Sequence, residues 1–467
     1  MSEQARGTPP RVPGWPLVGA LPQLARRHLH FLREMQRRHG DIFTVGFGPT
    51  DVVILGHPRH AQQVLRDRAE NYQDKGGMEG FRAGHYPLMS TGLATVTGKG
   101  ATWRNQRRTI QPALHAQHLE AFTAVMVDAI AGCLAGWESH DPSRPVDLEP
   151  AVTHMAMEVI GRAMFATAIP PEEADRIAAA VREAFDYTWQ GAIAMALPSW
   201  LPQPGRRRYR RAIATVHDAV DRLVERALRD GDPPRHLVPA LWESSRDEDD
   251  EAAARAYVHT EALTLLVTGY ESTAAALSWA FFLLARNPRV LKTLQAEVDA
   301  VLGDRRPAFA DLFRLPYARM VTQEALRLYS PSHWIQRRAE ERDEIDGFTI
   351  PAGAIVAPMI HLIHHHPEVW DDPERFEPER FTPERVAERH RLAWIPFGAG
   401  QRMCPAEEFA LAKGQLILAQ TLQRYDLAPV PGREPEMRVG TNVRPGGGVW
   451  VHLARRDGRK SAVPGRS

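Results

Sequence analysis

Residues 397–406 read FGAGQRMCPA, a glycine-punctuated turn that carries one of only two cysteines in the 467-residue chain. The residues that follow, 407–413, place apolar side chains at helical spacing and predict a helix. We therefore predict Cys404 at the N-cap of that helix, where free backbone N–H groups and the helix dipole favour an anion. A cysteine held in this way is poised to bind a metal, because the thiolate is the ligand.

The cysteine turn offers a single soft ligand. Zinc and iron–sulfur clusters need several such ligands, whereas a haem iron needs one axial protein ligand. The spacing Phe-x-x-Gly-x-Arg-x-Cys, from Phe397 to Cys404, resembles the cysteine-ligand loop of the cytochrome P-450 superfamily, the haem-thiolate monooxygenases. Taken alone, Cys404 could also be a small apolar residue buried in front of a helix.

Two residues after the cysteine depart from the family pattern. The family usually has glycine where this chain has Ala406, and Pro405 lacks an N–H and suits the first helical position. In the family, backbone N–H groups after the cysteine donate to the sulfur. We therefore predict that Pro405 removes one donor and leaves a more electron-rich thiolate, so that Pro405→Ile raises the haem reduction potential.

Composition indicates a soluble globular protein with a large core. Lys and Arg total 58 against 57 Asp and Glu, and the two cysteines argue against a disulfide scaffold. Cys133 lies in a helical pattern and is expected to be inert. No signal peptide or membrane anchor is expected at the start of the chain. Eukaryotic microsomal members of the superfamily begin with an apolar helix, so the resemblance implies a soluble, bacterial-type enzyme in the cytoplasm. The longest apolar run, 262–285, carries Glu271, Ser272 and Thr273 at its middle and is expected to be a core helix.

The hydropathy pattern predicts a mainly α fold with a small β region (α+β), organised as one large helical domain with a small sheet-rich lobe. Alternation over 42–47 and 52–55 predicts a hairpin, and strand signals return at 335–358. The pattern is helical from about 102 to 328, with breaks at 141–143, 198–204 and 244–250. The expected divisions are a flexible N-terminus (1–12), a single domain (13–454) with its β-rich lobe at 40–75 and 335–360 and its helical lobe at 100–330, the cysteine loop (397–406) and a flexible tail (455–467).

The core helix contains the sequence TGYEST at 268–273, which resembles the oxygen-binding helix of the superfamily. A mid-helix glycine costs about 1 kcal/mol relative to alanine, and burial of a carboxylate costs several more. The resemblance implies that Gly269 makes room for dioxygen and that Glu271 and Ser272, with Thr273 beside them, relay protons. Thr268 and Ser272 replace the commoner small residue and threonine. A capped polar interruption of a core helix is the alternative.

Two further motifs strengthen the resemblance. Glu324 and Arg327 lie one helical turn apart, and Pro378-Glu379-Arg380-Phe381 follows some fifty residues later. The resemblance implies that Glu324, Arg327 and Arg380 form a buried charge triad that locks the cysteine loop.

The residues implied to bind haem lie far apart in the sequence. The family's Trp-x-x-x-Arg is matched at Trp103 and Arg107, which would bind a propionate. Arg402 matches a second propionate contact, Arg337 or Arg338 supplies a third, and Phe397 contacts the haem from the loop. In isolation, Trp103 and Arg107 also suit an ordinary amphipathic helix.

Three conspicuous clusters are expected to have no catalytic role. Residues 364–366 are three consecutive histidines without partner ligands at helical or hairpin spacing, and they match a turn of the family. The arginines of 206–211 predict a solvated helix start rather than a nucleic-acid site. The run 445–448, PGGG, lacks the helix and lysine of a phosphate loop and predicts a turn between terminal strands.

The resemblance implies a monooxygenase that contains haem b and inserts one oxygen atom of O2 into a lipophilic small molecule. The chain is too short to include a reductase as well, so a separate ferredoxin and ferredoxin reductase would supply electrons from NAD(P)H. Lys99, Arg104 and Arg108 would suit an acidic partner, and we expect a monomer. The substrate-lining segments would be 76–93 and 187–201; the second is apolar and aromatic, which favours a lipophile.

The substrate class remains open at the level of sequence. The run after Cys404 and the segment 438–445 are similar to bacterial terpene-tailoring members, which makes terpene hydroxylation the leading hypothesis. Polyketide or fatty-acid oxidation is the alternative. A haem-thiolate gas or redox sensor, or a peroxide-driven enzyme, would have no need for Glu271 and Ser272, and an electron-transfer protein would need a second axial ligand.

Overall fold

The computed structural model describes residues 7–48, 50–75, 87–89, 91–96, 101–114, 119–194, 205–230, 236–245 and 250–456. The α-helices in these ranges are α1 (Leu21–His39), α2 (Pro58–Gln62), α3 (Ala101–Ala113), α4 (Leu119–Ala135), α5 (Leu148–Phe165), α6 (Pro171–Ala194), α7 (Arg206–Asp230), α8 (Leu237–Ser245), α9 (Glu251–Arg286), α10 (Pro288–Leu302), α11 (Pro316–Leu328), α12 (Ile360–His364), α13 (Pro383–Glu388) and α14 (Glu407–Arg424). The strands are β1 (Ile42–Phe47), β2 (Thr50–Leu55), β3 (Val146–Asp147), β4 (Arg337–Arg338), β5 (Asp343–Ile345), β6 (Phe348–Ile350), β7 (Ile355–Pro358), β8 (Tyr425–Pro429), β9 (Glu436–Val439), β10 (Val443–Gly446) and β11 (Trp450–Arg455).

The largest sheet joins segments that are about 300 residues apart in sequence. Strands β1 and β2 form the predicted antiparallel hairpin, with Ile42 opposite Leu55. Strand β7 pairs with β2 in parallel and β4 pairs with β7 antiparallel, which gives the order β1-β2-β7-β4. The prediction of a small sheet assembled from both ends of the chain is confirmed.

This sheet is buried on both faces. Phe43 and Val45 of β1 pack with α1 on one face, while Ile42 and Val53 pack in a separate cluster on the other. Successive side chains of a strand point to opposite faces, so a strand covered on both sides reads as a continuous apolar run. The sheet is therefore a rigid support for residues at its edge, including Arg337 of β4.

Helix α9 is the longest element of the helical lobe and supplies one wall of the site. Its 36 residues begin at an N-cap, Asp250, whose carboxylate accepts hydrogen bonds from the N–H groups of Ala252 and Ala253 at 2.9 and 3.2 Å. Most of the helix from Ala262 onward is buried, as predicted for a core helix. Among the described residues, no helix is both long and apolar enough to cross a membrane.

Helix α14, which follows the cysteine loop, is buried on all sides and packs against α11. A Cβ added at Gly414 would lie 2.7 Å from Thr322 Cγ2, so glycine permits this close approach. Lys413 Nζ of α14 donates to the carbonyl oxygen of Gly269 in α9 at 2.7 Å. The cysteine loop is thereby connected to both central helices.

The C-terminal strands belong to two sheets. Strand β10 pairs with β9, and β11 pairs with β8 and β3. Gly447 and Gly448 form the connection with φ of +86° and +81°, a region that favours glycine. The predicted turn between terminal strands is confirmed, although Pro445 and Gly446 already belong to β10. Residues 1–6 and 457–467, at the ends of the expected flexible termini, lie outside the described ranges.

Candidate active site

The cysteine loop is shaped by two glycines. Gly398 and Gly400 have φ of +76° and +73°, and a Cβ at Gly400 would lie 1.9 Å from the carbonyl oxygen of Leu65. The Cys404 N–H donates to the carbonyl of Phe397 at 2.9 Å and closes the loop. Side chains at either glycine would therefore strain the loop or displace it from Leu65.

The predicted N-cap position of Cys404 is wrong by two residues. Helix α14 begins at Glu407 and Ala406 is its N-cap, while Pro405 lies in the preceding turn instead of the first helical position. The Ala406 N–H donates a hydrogen bond to the Cys404 sulfur. Cys404 therefore obtains its stabilising donor from the turn before the helix.

Burial and four charged or polar groups determine the acidity of Cys404. Burial raises the pKa of the thiol and the carboxylate of Glu407 raises it further, whereas the Ala406 N–H and the positive charges of Arg107 and Lys413 lower it. The groups that lower the pKa all favour the thiolate.

Three cations meet beside the loop. Arg337 and Arg402 line a cleft of about 390 Å³ together with Trp103, and the Arg402 guanidinium carbon lies 4.6 Å from the centroid of the Trp103 ring. Burial and the charges of Arg402 and Arg337 lower the pKa of Lys75 to about 7. Burial, with Arg402, lowers the pKa of Arg337 to about 10, and Asp74 is the acid that opposes this effect.

This arrangement fits an anionic ligand. Buried positive charges are costly unless they are paired. Asp74 is the acid that acts on Arg337 and Arg402, while the Lys75 ammonium donates to the carbonyl of Ala94. A ligand with two carboxylates beside the cleft would satisfy them. Lys75 does not line the cleft but lies close enough for Arg402 and Arg337 to act on its charge. The sequence analysis missed it because it belongs to no motif.

Arg107 has a different position from the other predicted propionate ligands. Its Nη1 donates to the carbonyl of Met403 at 2.5 Å and its Nε donates to Gln111 at 2.7 Å. Arg107 thus lies against the residue before Cys404, and it is not among the residues that line the cleft of Arg337 and Arg402. The structure brings Trp103 and Arg402 together and directs Arg107 toward the cysteine.

Thr268 and Ser272 form an open stripe on α9. Thr268 is exposed and Ser272 half-buried, although Val267 and Thr273 beside them are buried. The Ser272 hydroxyl donates to the Thr268 carbonyl at 2.8 Å. Residues four apart share one face of a helix, so this face presents a hydroxyl and is accessible to a ligand.

Gly269 faces another helix. A Cβ at Gly269 would lie 2.8 Å from Ile160 Cδ1 of α5, so the absence of a side chain lets α5 and α9 pack closely. Helix α9 is α-helical throughout Glu251–Arg286. The Gly269 carbonyl accepts the Lys413 ammonium and the Thr273 hydroxyl, at 2.7 and 3.2 Å. The predicted role of Gly269 in making room for dioxygen stays a prediction.

Glu271 points toward the C-terminal strands. Its carboxylate accepts a hydrogen bond from Asn442, and it lines a cavity of about 370 Å³ with Arg182, Arg444 and Tyr270. Burial raises the pKa of Glu271 to about 7, against the lowering effects of Arg444, Asn442 and Arg182. The Glu271 carboxylate bonds Asn442, whereas the Ser272 hydroxyl bonds the Thr268 carbonyl. In the described structure these two groups are therefore not hydrogen-bonded to each other.

The predicted charge triad is brought together. Arg327 donates to both oxygens of Glu324 at 2.7 and 2.8 Å, and both side chains are fully buried. Arg380 Nε lies 3.5 Å from Glu324 Oε1. Arg327 also donates to the carbonyls of His364 and Pro373 at 2.8 Å, which connects α11 to the segment before the cysteine loop.

His364 extends this connection toward Cys404. One ring nitrogen lies 3.1 Å from the carbonyl oxygen of Arg327, and the other accepts the N–H of Ile395 at 2.9 Å. Ile395 is two residues before Phe397, where the loop begins. The prediction of a turn at 364–366 is wrong for His364, which is the last residue of α12, and right for His365. The position of His364 between triad and loop was not predicted.

The third histidine of the run meets distant residues. His366 lies near His57 and Glu368 in an arrangement that could accommodate a metal ion by distance. However, its Nδ1 accepts the Glu368 N–H at 3.2 Å and its Nε2 lies 3.0 Å from Asp41 Oδ1, while His57 Nδ1 accepts the Arg59 N–H at 3.2 Å. A neutral imidazole has one free lone pair, so these bonds use the lone pair of each ring.

Two other features singled out by the sequence, the arginine run and the second cysteine, lie away from the site. The arginines of 206–211 are exposed at the start of α7, and Cys133 is half-buried with its pKa raised to about 11 by burial. Lys99 and parts of both predicted substrate segments lie outside the described ranges.

Comparison with known proteins decides the family. The family model described as Cytochrome P450 matches residues 9–449. The chain belongs to the cytochrome P450 family. The chain is 35% identical to cyclooctat-9-en-7-ol 5-monooxygenase of Streptomyces melanosporofaciens, over 89% of each chain. It is 34% identical to cyclooctatin synthase of the same organism, over 90% of each, and 33% identical to pentalenene oxygenase of Streptomyces avermitilis, over 89% of this chain and 90% of the relative.

A cytochrome P450 contains haem, and the described residues fit it. Cys404 offers one thiolate with a backbone donor, and Lys75, Arg337 and Arg402 offer cations for two propionate groups. The open stripe of Thr268 and Ser272 lies in α9. Helix α9 is joined to α14, the helix after the cysteine loop, by the hydrogen bond from Lys413 to the Gly269 carbonyl. The chain is accordingly a monooxygenase of this family.

Proposed function

We propose that this cytochrome P450 hydroxylates a terpene, with Cys404 as the axial ligand of haem and electrons from a ferredoxin. The observation that carries the substrate class is the similarity to three bacterial relatives, each over about nine-tenths of both chains. Two of their names, cyclooctat-9-en-7-ol 5-monooxygenase and pentalenene oxygenase, describe oxygenation of a terpene skeleton. The buried apolar residues Leu88, Met89 and Leu93 in the described part of the first substrate segment suit a lipophile.

The propionate groups are assigned to the cation cleft. Arg402 and Arg337 would each donate to a carboxylate, and Lys75 would supply a third positive charge. Trp103 packs against Arg402 and holds the guanidinium in place. Arg107 is assigned a separate task, since its bond to the Met403 carbonyl fixes the loop and its charge favours the Cys404 thiolate.

Bound haem supplies the iron at which dioxygen is activated. The chain must deliver protons to the dioxygen from the face of the haem that α9 would cover. Ser272 presents a hydroxyl on the open face of α9. Glu271 has a pKa of about 7, so both its forms are populated near neutral pH, as a proton donor requires. Delivery requires the Glu271 side chain to leave Asn442 and turn toward Ser272.

Electron supply is assigned to the exposed face of α3. Arg104 and Arg108 are exposed there, and Arg107 between them contacts the cysteine loop. A basic surface beside the haem ligand suits a small acidic redox protein, because complementary charge accelerates productive encounter.

The test is turnover with purified protein, ferredoxin, ferredoxin reductase and a terpene substrate. We expect Glu271→Gln combined with Ser272→Ala to lower product formed per NAD(P)H consumed by at least about tenfold, since general acid catalysis contributes about 100-fold or more. Glu149→Gln is the matched control, because Glu149 lines the same cavity without the predicted proton role. Unimpaired product formation by the double variant would contradict the proposed relay.

A further inference from the structure

Lys413 is a buried lysine that lies outside the cation cleft assigned to the propionates. Its side chain is 1% exposed in the middle of α14, nine residues after Cys404. Lysine is almost never fully buried unless it is paired. Lys413 has no carboxylate partner among the described residues, and its Nζ donates to the carbonyl of Gly269 at 2.7 Å.

The surroundings of Lys413 explain its hydrogen bond but not its charge. The ammonium lies 5.6 Å from the centroid of the Phe409 ring, a weak attraction. A neutral amide or a methionine would fill the same space without the cost of burying a cation. A positive charge at this position therefore indicates a negative charge that it balances.

Cys404 provides that negative charge. Lys413 lies two helical turns after Ala406, the N-cap whose N–H donates to the Cys404 sulfur, and side chains of a helix lean toward its N-terminus. The Lys413 side chain therefore shares the face of α14 that meets the cysteine. Burial lowers the pKa of Lys413 and the charge of Cys404 opposes this effect, so a sulfur that iron holds ionised also keeps the ammonium charged. In return, Lys413 favours the ionised form of Cys404. Arg107 is the other cation that acts on Cys404, and Glu407 is the acid. Arg107 is half-buried, so solvent screens its charge more than that of Lys413.

We propose that Lys413 is a positioning residue of the haem-thiolate centre, whose fixed positive charge balances the Cys404 thiolate and raises the reduction potential of the haem. The hydrogen bond to Gly269 holds the ammonium in place and attaches the ligand helix α14 to α9 at the residue next to Thr268. Reduction adds an electron to the centre, so a nearby positive charge stabilises the ferrous form. This inference does not depend on the identity of the substrate.

The test is a spectroelectrochemical titration of the haem-loaded protein and its variants. Lys413→Gln can retain a hydrogen bond to Gly269 but removes the charge, so it separates the two contributions. At an effective dielectric constant of about 20, loss of one buried charge changes the ferric-to-ferrous ratio by about tenfold. A tenfold change corresponds to about 59 mV for one electron, and we expect the midpoint potential of Lys413→Gln to fall by about that amount.

Two controls accompany this variant. Lys413→Arg keeps the charge, so its ferric-to-ferrous ratio at a fixed potential should stay within twofold of that of the wild type. Lys292→Gln removes an exposed lysine of α10, where solvent screens the charge, and should also have no effect. Should Lys413→Gln not retain haem, Lys413→Met, which needs no buried polar group, is measured in its place with the same expected fall.

A ferric-to-ferrous ratio of Lys413→Gln or Lys413→Met that stays within twofold of the wild type at a fixed potential would overturn the proposal, as would an equal fall of the midpoint potential in Lys413→Arg. Failure of the proposed function is distinguishable from either result. Wild-type protein that shows no Soret band after haem reconstitution would refute the haem site, whereas an unchanged potential in haem-loaded variants refutes only the role of Lys413.

Discussion

Individual residues of the turn after Cys404 determine how strongly its thiolate can donate electrons to a metal. Ala406 donates its N–H to the sulfur, while Pro405 has no N–H to give. The motif was sufficient to predict the missing donor. It did not place the start of α14, because the turn at 405–406 separates the cysteine from the helix.

Replacement of Pro405 tests this account at the level of one hydrogen bond. Pro405→Ile restores an N–H that can donate to the thiolate, which weakens its donation to iron and favours the ferrous form. For a bond of about 1 kcal/mol, we expect the ferric-to-ferrous ratio at a fixed potential to fall about fivefold. Pro383→Ile, at an exposed proline, is the control. A midpoint potential that is unchanged or lower in Pro405→Ile would refute the missing-donor argument.

Residues named by motifs were predictable, whereas their partners were not. Arg402 and Trp103 were selected from the sequence, and the Arg402 guanidinium carbon lies 4.6 Å from the centroid of the Trp103 ring. Lys75, Asn442 and Lys413 reach the site from separate parts of the chain and match no local pattern. Their contacts depend on the packing of segments that are distant in the sequence, so no local motif predicts them.

At the level of elements, α11 and the cysteine loop are joined through buried polar contacts. Arg327 bonds Glu324 and the carbonyls of His364 and Pro373, and His364 continues to Ile395. The i,i+3 spacing predicted the pair but could not reveal the carbonyl acceptors, which backbone packing places. This network orients the loop that carries Cys404.

Removal of Arg327 should disrupt that network. Arg327→Ala leaves Glu324 buried without its main partner, and we expect the free energy of unfolding to fall by about 3–5 kcal/mol with loss of haem retention. Arg306→Ala removes an exposed pair with Asp128 and should cost less than about 1 kcal/mol. Denaturant unfolding followed at the Soret band measures both. Equal effects of the two substitutions would contradict a locking role for the triad.

Helix α9 contains a second acid that the sequence analysis did not select. Glu261 is 0% exposed; one of its oxygens accepts the N–H of Leu93 at 3.1 Å, and the other has no hydrogen-bond partner among the described residues. Burial raises the pKa of this carboxyl from 4.5 to about 7. The folded protein therefore holds this proton more tightly, so the group's contribution to stability is present below pH 4.5 and lost as the pH rises toward 7.

Glu261→Gln should remove this pH dependence. At pH 4 the variant and the wild type should have similar stability, and at pH 8 the variant should be more stable by about 3 kcal/mol. Thermal unfolding across this pH range measures the difference, with the exposed Glu172→Gln as control. A stability difference that does not change with pH would show that Glu261 is already ionised in the folded protein.

Over the whole molecule, charge is balanced but unevenly placed. The formal net charge is +1, yet Arg104 and Arg108 are exposed on the helix that contacts the cysteine loop. The sequence predicted the α+β class, the hairpin and the core helix, since these follow from the period of apolar residues. It could not predict that Arg107 would turn toward Met403, because that contact joins residues 296 positions apart.

Reversal of charge at Arg104 and Arg108 should impair electron delivery. We expect Arg104→Glu with Arg108→Glu to lower the ferredoxin-dependent reduction rate about tenfold at low salt, with a smaller effect at high salt. Reduction by dithionite should be unchanged. Arg207→Glu with Arg211→Glu, on exposed arginines of α7, is the matched control. An equal loss in both double variants would place the docking surface elsewhere.

The most direct test of the central claim is an optical titration of the purified, haem-loaded ferric protein with terpenes, macrolactones and fatty acids. A cytochrome P450 that hydroxylates terpenes should show a shift of its Soret band to the high-spin position with terpenes at concentrations where the other two classes have no effect. A Soret band that terpenes do not move, or that fatty acids or macrolactones move instead, would contradict the proposed substrate class.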